Sequence, residues 1–395
     1  MKKMLFLCSR VPYPLVGGDK IRMFNSIKML SSQYEIDLVY IDEKKMNEKT
    51  EEVLSQYCNT IYPFVISKRS HYLKTLKGLI INRKPLQVNY YYDKHIQRWI
   101  DKNIDHYDMV YCNHIRTTEY VRRYSICKIV DFVDSIAMNY IKAYEKSIGF
   151  WKLIYAIEKR RVYSYEQQII REFEKKIVIS EIDRAFMDKE NKFSIRTIGN
   201  FVPDINIKRE IQVKENLLSF LGKMDYEPNI SAVCYFAKEI FPELKQEFPD
   251  LTFKIVGAFP TKEVLNLKKI RGIEVTGFVD YPYDCVQESL LFIAPMVSGA
   301  GVQNKILEAM KMEKCVVTTI IGAEGLENIS EDQLVVCKNK RDMISNITHL
   351  INNKTKIKAI GIRAKDYVDR NYSEFVIKNL LLTYINKENF VKNNA

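Results

Sequence analysis

Apolar and polar positions come in alternating blocks along the chain. Met4 to Ser9 is a short apolar run that ends in a loop holding Pro12, Pro14, Gly17 and Gly18. Ile21, Phe24, Ile27 and Leu30 then recur at helical spacing, so the order is strand, glycine loop, helix. A second apolar run, Tyr34 to Ile41, and further runs at Met109 to Cys112, Lys128 to Val133 and Lys176 to Ile179 continue the alternation of strand and helix that builds a parallel sheet. After Asn200-Phe201-Val202-Pro203 comes a polar stretch, Asp204 to Glu215, with no apolar face. The pattern then restarts, with strand-like runs at Leu217 to Leu221, Thr252 to Val256, Ile273 to Thr276, Leu290 to Ala294 and Cys315 to Thr318.

This pattern predicts an α/β protein of two Rossmann-like doubly wound domains facing across a cleft. Their expected limits are residues 1–203 and 216–372, with 204–215 as the linker and a terminal helix, Phe375 to Ile385, within 373–395. A chain of 395 residues is too long for one ordinary core and supports two.

Composition changes the picture in three places. No stretch approaches about 20 uninterrupted apolar residues, and the first run is too short for a secretory signal. The eight cysteines are scattered without a CxxC pair, which predicts neither a zinc site nor a disulfide framework, but reduced thiols in the cytoplasm. The formal charge of +12 calls for an anionic partner: nucleic acid, an anionic membrane surface or a phosphorylated small molecule. Zinc-finger spacing, RNA-recognition signatures and basic-zipper heptads are missing, so nucleic acid is not expected.

The segment Ala294 to Thr319, APMVSGAGVQNKILEAMKMEKCVVTT, carries the candidate chemistry. A strand ends, a glycine loop follows, and Val302, Ile306, Leu307 and Met310 start a helix. Backbone N–H groups around Gly299, Ala300 and Gly301 would lie at a helix N-terminus, where unsatisfied donors and the helix dipole favour phosphate. Lys305 adds a full positive charge. Glu308, three residues on, offers a carboxylate that can accept from two ribose hydroxyls. The plainer alternative is an exposed helical pair between Lys305 and Glu308, worth a few tenths of a kcal/mol.

In these parts the segment resembles the donor-binding motif of family 4 glycosyltransferases of the GT-B fold. The matching parts are the small-residue loop Ser298 to Gly301, the LEAM of Leu307 to Met310, the buried strand at Val316-Val317, and Gly322-Ala323-Glu324-Gly325-Leu326 after it. Further similarity lies in PYPLVGGD at Pro12 to Asp19, IGN at Ile198 to Asn200, LGKMDYEPN at Leu221 to Asn229, IVG at Ile255 to Gly257 and TGFVD at Thr276 to Asp280. The resemblance implies a retaining transferase of the bacterial polysaccharide or glycolipid type. Its nucleoside-diphosphate sugar would bind the C-terminal domain, its glycan or polyprenyl-linked acceptor the N-terminal one. Glu308 matches the family's ribose-binding glutamate, and Lys223 the basic residue that reaches the diphosphate. The backbone of Gly277, Phe278 and Val279 matches the base-pocket segment. The chain end is expected to cross back onto the N-terminal domain.

Two departures stand out. Ala300 occupies the position of the family's first glutamate, eight residues before Glu308, which contacts the donor sugar. A second phosphate-binding lysine is also missing, its nearest equivalent being Pro228-Asn229, and Lys305 is the candidate to replace that charge.

On the N-terminal side, Gly17 and Gly18 are candidates to approach the donor phosphates, or else form a simple turn. His114 follows the Met109 to Cys112 run, at the carboxyl end of a strand, and is the best placed of five histidines; a structural role is the alternative. Arg116 stands in the same way. Asp131 and Asp134 either orient an acceptor hydroxyl or serve the next helix, with Asp134 and Ser135 reading as helix-start residues. No DxD-type pair is present, so neither a metal nor another cofactor is expected, and the leaving diphosphate would be met by Lys223, Lys305 and backbone N–H groups.

Lys68 to Arg98 is basic and amphipathic, with Tyr90, Tyr91, Tyr92 and Trp99 interleaved, and Tyr140 to Tyr165 is a second basic aromatic run. These runs fit either a peripheral enzyme on the anionic inner face of the cell membrane or apolar stripes packed on a core with solvated basic backs. A nucleotide-sugar epimerase on the same fold and a non-catalytic nucleotide-sugar-binding protein are the alternatives to a transferase.

Overall fold

The computed structural model describes residues 1–15, 18–69, 71–72, 75, 78, 82, 84–205, 211–299 and 301–387. Among these, thirteen strands pair into two sheets in which every pairing is parallel. The first sheet contains β1 (Lys2–Cys8), β2 (Tyr34–Asp42), β3 (Thr60–Val65), β4 (Met109–Asn113), β5 (Cys127–Asp131), β6 (Lys175–Val178) and β7 (Arg196–Thr197). The second contains β8 (Lys214–Leu221), β9 (Thr252–Val256), β10 (Ile273–Val275), β11 (Ser289–Ala294), β12 (Cys315–Thr319) and β13 (Val335–Cys337).

Strand order is β3-β2-β1-β4-β5-β6-β7 in one sheet and β10-β9-β8-β11-β12-β13 in the other. Each sheet therefore starts in its middle, winds outward one way, and returns to the first strand's other side. The reversal leaves a crevice at the carboxyl ends of the two central strands, where doubly wound folds hold ligands. In the first sheet it lies between β1 and β4, in the second between β8 and β11.

Burial on both faces produces the near-continuous apolar runs. All six residues of β11 are buried. Leu291 and Ile293 join the core on one face, with Leu218, Phe220, Ile255 and Val317. Phe292 and Ala294 join the other, with Ile306, Leu307, Met310 and Val316. The strands β3, β7 and β13, which the pattern did not predict, are sheet edges. β3 is half-exposed and contains Pro63, while β7 and β13 span two and three residues.

Two compact units result: Met1–Asn200 together with the chain from Lys378 onward, and Phe201–Ile377. The division falls before Phe201 because Val202 packs in the second core and donates its N–H to the Tyr372 carbonyl at 2.8 Å. Lys214 and Glu215, placed in the linker by their polarity, begin β8, whose first three residues are exposed. Residues 206–210 of that linker lie outside the described set. The last helix, Glu374–Asn386, ends in the first unit: the Tyr384 hydroxyl accepts from Lys176 N at 3.0 Å and donates to the Ser194 carbonyl at 3.1 Å.

Candidate functional site

The loop after β11 and the helix Asn304–Lys311 stand at the crevice of the second sheet. Hydrogen bonds anchor the loop's start to β12: Thr318 Oγ1 donates to the Ala294 carbonyl at 2.7 Å and Thr319 Oγ1 to the Met296 carbonyl at 2.6 Å. Gly299 and Gly301 hold φ values of 134° and 68°, in the region that disfavours side chains, and so delay the helix to Asn304 rather than Val302. Gly325 supports the loop from behind. A Cβ there would lie 2.5 Å from Val302 N and 2.7 Å from the Gly301 carbonyl carbon.

Gln303 is the N-cap residue, but its side chain makes no capping hydrogen bond. Instead its Oε1 accepts from Lys305 Nζ at 3.1 Å. The first-turn N–H groups of the helix therefore have no side-chain acceptor from the cap. Lys305 also lies 4.0 Å from Met296 Sδ and 5.7 Å from the centre of the Phe220 ring. Desolvation in this apolar setting lowers its pKa to about 8, against the opposing pull of Glu308. Burial likewise raises the Glu308 pKa, while Lys305 and a hydrogen bond from the Tyr283 hydroxyl oppose it. The Tyr283 hydroxyl is in turn pushed well up by burial and by Glu308. An exposed helical ion pair is not what forms: both side chains are half-buried, and among the described residues Lys305 forms no ion pair within 4 Å.

Lys223 stands on the neighbouring loop after β8. It is exposed, its Nζ 5.8 Å from the Phe259 ring centre. The loop is fixed from both sides: Gly222 N donates to the Val256 carbonyl at 3.0 Å, and Asn229 Nδ2 to the Lys223 carbonyl at 2.9 Å. Asn229, where the family resemblance leads one to look for a second lysine, is thus a buried brace. Gly277 turns at φ 75° after β10 and leaves Phe278 75% exposed, a bare aromatic face beside Val279. Ala300 lies outside the described residues, as does Gly17.

In the first unit, His114 follows β4 and Val133 follows β5, both with positive φ, 70° and 66°. Strain at a non-glycine residue, and at a β-branched one beside it, persists only where surrounding bonds hold it. Here His114 N donates to the Asp131 carbonyl at 2.7 Å, and Val133 N to Asp131 Oδ1 at 3.0 Å. The His114 ring is buried, its Nδ1 has no partner among the described residues, and its Nε2 lies 3.8 Å from Asp134 Oδ1. Burial, with Arg116 and Arg10 nearby, lowers its pKa well below the usual value, so the ring is neutral at pH 7.

Asp134 Oδ2 accepts from Asn139, and burial raises its pKa. The N-cap of the helix Ile136–Lys146 is Ser135, whose Oγ accepts from Met138 N at 3.2 Å, so of the two expected helix-start residues only Ser135 caps. Asp131 is not available to an acceptor. It is fully buried and binds Arg22 Nε at 2.7 Å and the Tyr111 hydroxyl at 2.9 Å. Arg116 Nε donates to Gln87 Oε1 at 2.9 Å, and its guanidinium lies 5.4 Å from the Tyr91 ring centre, at a 260 Å3 cavity also lined by Tyr72 and Tyr90. Gly18 opens the helix Gly18–Leu30, and a Cβ there would meet nothing within 4 Å.

The structure thus groups Lys305, Glu308, Gly299, Gly301 and Lys223 at the crevice of one sheet. His114, Arg116, Asp134 and Gly18 group at that of the other. Tyr283 and Arg22 were not read from the sequence, because neither sits in a motif and each acts through a contact the chain order does not display; Met296 and Gln303 lie within the Ala294 to Thr319 segment, but their contacts to Lys305 depend on how the loop folds. Two larger hollows, of 690 and 510 Å3, lie about Arg341 and Ser345 near the β13 edge and hold none of these residues. Among the described residues no three His, Cys, Asp or Glu side chains are placed to bind a metal, and no cysteine is disulfide-bonded.

Two parallel doubly wound sheets with these crevices define a GT-B fold, and residues 215–353 match the protein-family model described as Glycosyl transferases group 1. Fold and matched domain together make the chain a glycosyltransferase. A Klebsiella pneumoniae protein described as an uncharacterized 44.6 kDa protein in the cps region is 23% identical over 393 residues, spanning 94% of this chain and 97% of its own. An S. aureus TarM mutant, solved with Fondaparinux, alpha-GlcNAc-glycerol and UDP, shares the fold at TM-score 0.67 and 14% identity, over 98% of this chain and 100% of that one. Anabaena Alr3699/HepE, solved with UDP and glucose, does so at TM-score 0.64 and 12% identity, over 98% and 100%.

Proposed function

We propose that the chain is a retaining transferase of the family 4 type, moving a sugar from a nucleoside-diphosphate sugar to a glycan or polyprenyl-linked acceptor in cytoplasmic steps of surface polysaccharide synthesis. The observation that carries this is the half-buried Lys305 ammonium beside a glycine loop and an uncapped helix start, with Glu308 held by Tyr283 one turn on. Such a set fits one ligand in parts: diphosphate at Lys305, Lys223 and the loop N–H groups, ribose at Glu308, base against Gly277 to Val279. The UDP complexes of TarM and HepE and the cps-region location of the Klebsiella relative support this reading.

In the transfer, the acceptor oxygen bonds to the anomeric carbon as the bond from that carbon to the diphosphate oxygen breaks on the same face. The acceptor proton passes to the departing phosphate oxygen. Lys305, Lys223 and the loop N–H groups take up the negative charge that develops there, in the place a metal ion would otherwise fill. Neutral His114 and Gly18 would contact the donor, and Arg116 and Asp134 the acceptor.

Incubation with UDP-, GDP-, ADP- and dTDP-sugars, with product configuration read by proton NMR, tests this. Retained configuration at the transferred sugar is expected, and an inverted product would refute the mechanism. Binding without turnover would favour a non-catalytic binder, and conversion of the donor sugar alone an epimerase.

A further inference from the structure

The second basic aromatic run forms a helical hairpin. Helices Ile136–Lys146 and Gly149–Glu172 pack on each other, with the Tyr140 and Tyr155 rings 5.5 Å apart and a turn at Ser147-Ile148. The long helix is buried only from Glu158 onward, and none of its first nine residues, 149–157, is buried. Phe150, Leu153, Ile154 and Ile157 follow the i, i+3, i+4, i+7 spacing that ordinarily marks a core-facing stripe. Here most of that stripe meets water, Phe150 being 71% exposed, Leu153 60% and Ile157 44%, and beside it Ile148 is 84% and Trp151 61% exposed.

Basic residues surround it. The run holds Lys142, Lys146, Lys152, Lys159, Arg160 and Arg161 against Glu145 and Glu158. Glu158 is committed inward, accepting from Leu86 N at 2.7 Å and pairing with Arg161 at 3.4 Å. Among the described residues, the exposed Lys146, Lys152 and Arg160 have no carboxylate within 4 Å. In the other basic run Tyr72 is 61% exposed, but the aromatics toward its end pack within the unit. Trp99 packs on Tyr62 with centroids 4.4 Å apart, and Tyr92 stacks on Tyr120 at 5.3 Å.

We infer that the hairpin tip, Ile148 to Leu153, docks on an anionic phospholipid bilayer. Phe150, Trp151 and Leu153 enter the headgroup and upper acyl region, where an indole is favoured. Lys146, Lys152 and Arg160 keep their charges at the lipid phosphates while their stems lie along apolar surface. The cations explain the choice of an anionic surface over a neutral one, and the exposed apolar stripe explains why charge alone does not describe the site.

The test is flotation with vesicles of phosphatidylcholine alone and of phosphatidylcholine with phosphatidylglycerol, using the wild-type chain and a Phe150→Ala/Trp151→Ala variant. These side chains make no core contact, so the variant is expected to keep the wild-type melting temperature. The wild type should float with anionic vesicles and not with neutral ones, and the variant's partition should fall about tenfold or more. The chain has two tryptophans, so Trp99→Phe leaves Trp151 as the sole reporter, and its emission should shift to the blue on adding anionic vesicles. Equal flotation of wild type and variant, or none at low salt, overturns the inference. So does a change from dimer to monomer in the variant without vesicle binding, which would assign the patch to a second copy of the chain.

Discussion

Lys305 Nζ donates to the side-chain oxygen of Gln303, two residues back, rather than to Glu308, three residues on. An ammonium carries three donors; here one goes to Gln303 Oε1 and a second, weakly, to Met296 Sδ at 4.0 Å. The remaining capacity sits beside N–H groups at the start of a helix, in surroundings apolar enough to lower the lysine pKa to about 8. Those are the terms on which a diphosphate is bound: charge available, little water to displace, fixed donors.

The first prediction is a pH dependence. Only the charged lysine attracts the diphosphate, and bound diphosphate raises its pKa. Affinity should therefore be level below pH 8 and weaken above it, by up to about tenfold per pH unit. Lys305→Arg keeps its charge throughout this range and should abolish the fall. Titration calorimetry between pH 7 and 9.5 checks both proteins; a wild-type affinity that does not change across the range contradicts the assignment.

Gly325→Ala should damage donor binding without touching the donor. The new Cβ would press on Gly301 and Val302, and the loop has to move to accommodate it. Overpacking of this kind costs about 1–3 kcal/mol of stability, and a displaced phosphate loop should weaken nucleotide binding about tenfold. Denaturant unfolding and calorimetry on one sample separate the two effects.

His114→Ala removes a ring whose Nδ1 has no partner to lose. Stability should drop by no more than about 2 kcal/mol, for the lost packing. Turnover should drop about 100-fold if the ring contacts the reacting sugar, with nucleoside-diphosphate affinity unchanged. A melting curve, a donor-binding isotherm and a transfer assay decide between this role and a structural one.

Asp131→Asn should act on stability instead. It leaves the fully buried Arg22 without its counter-charge, at a cost of about 3–5 kcal/mol in chemical unfolding.

How much of this the sequence displays follows from range. Central strands such as β1 and β11 are buried on both faces and read as plain apolar runs, whereas the edge strands β3, β7 and β13 lack that run. Lys305 and Glu308 are legible because loop, cation and carboxylate fall within one short segment. Asp131 is left between orienting an acceptor and serving the next helix because its actual partner, Arg22, lies 109 residues away in the chain and meets it only through the sheet order. Tyr283 is missed for the same reason: it reaches Glu308 from a helix two elements earlier. The late helix start at Asn304 comes from two glycine φ values, which periodicity does not register.

The most direct test of the donor site is calorimetric titration of UDP, GDP, ADP and dTDP into the wild-type chain and Glu308→Ala. Removing a partly desolvated carboxylate should not lower the melting temperature, so any loss reports on the ligand. At least one nucleotide should bind the wild type, and Glu308→Ala should bind it about 10- to 100-fold more weakly, as expected for losing ribose hydrogen bonds to a charged acceptor. Equal affinity of the two proteins for that nucleotide, or binding of none by the wild type, would contradict the assignment of the donor site.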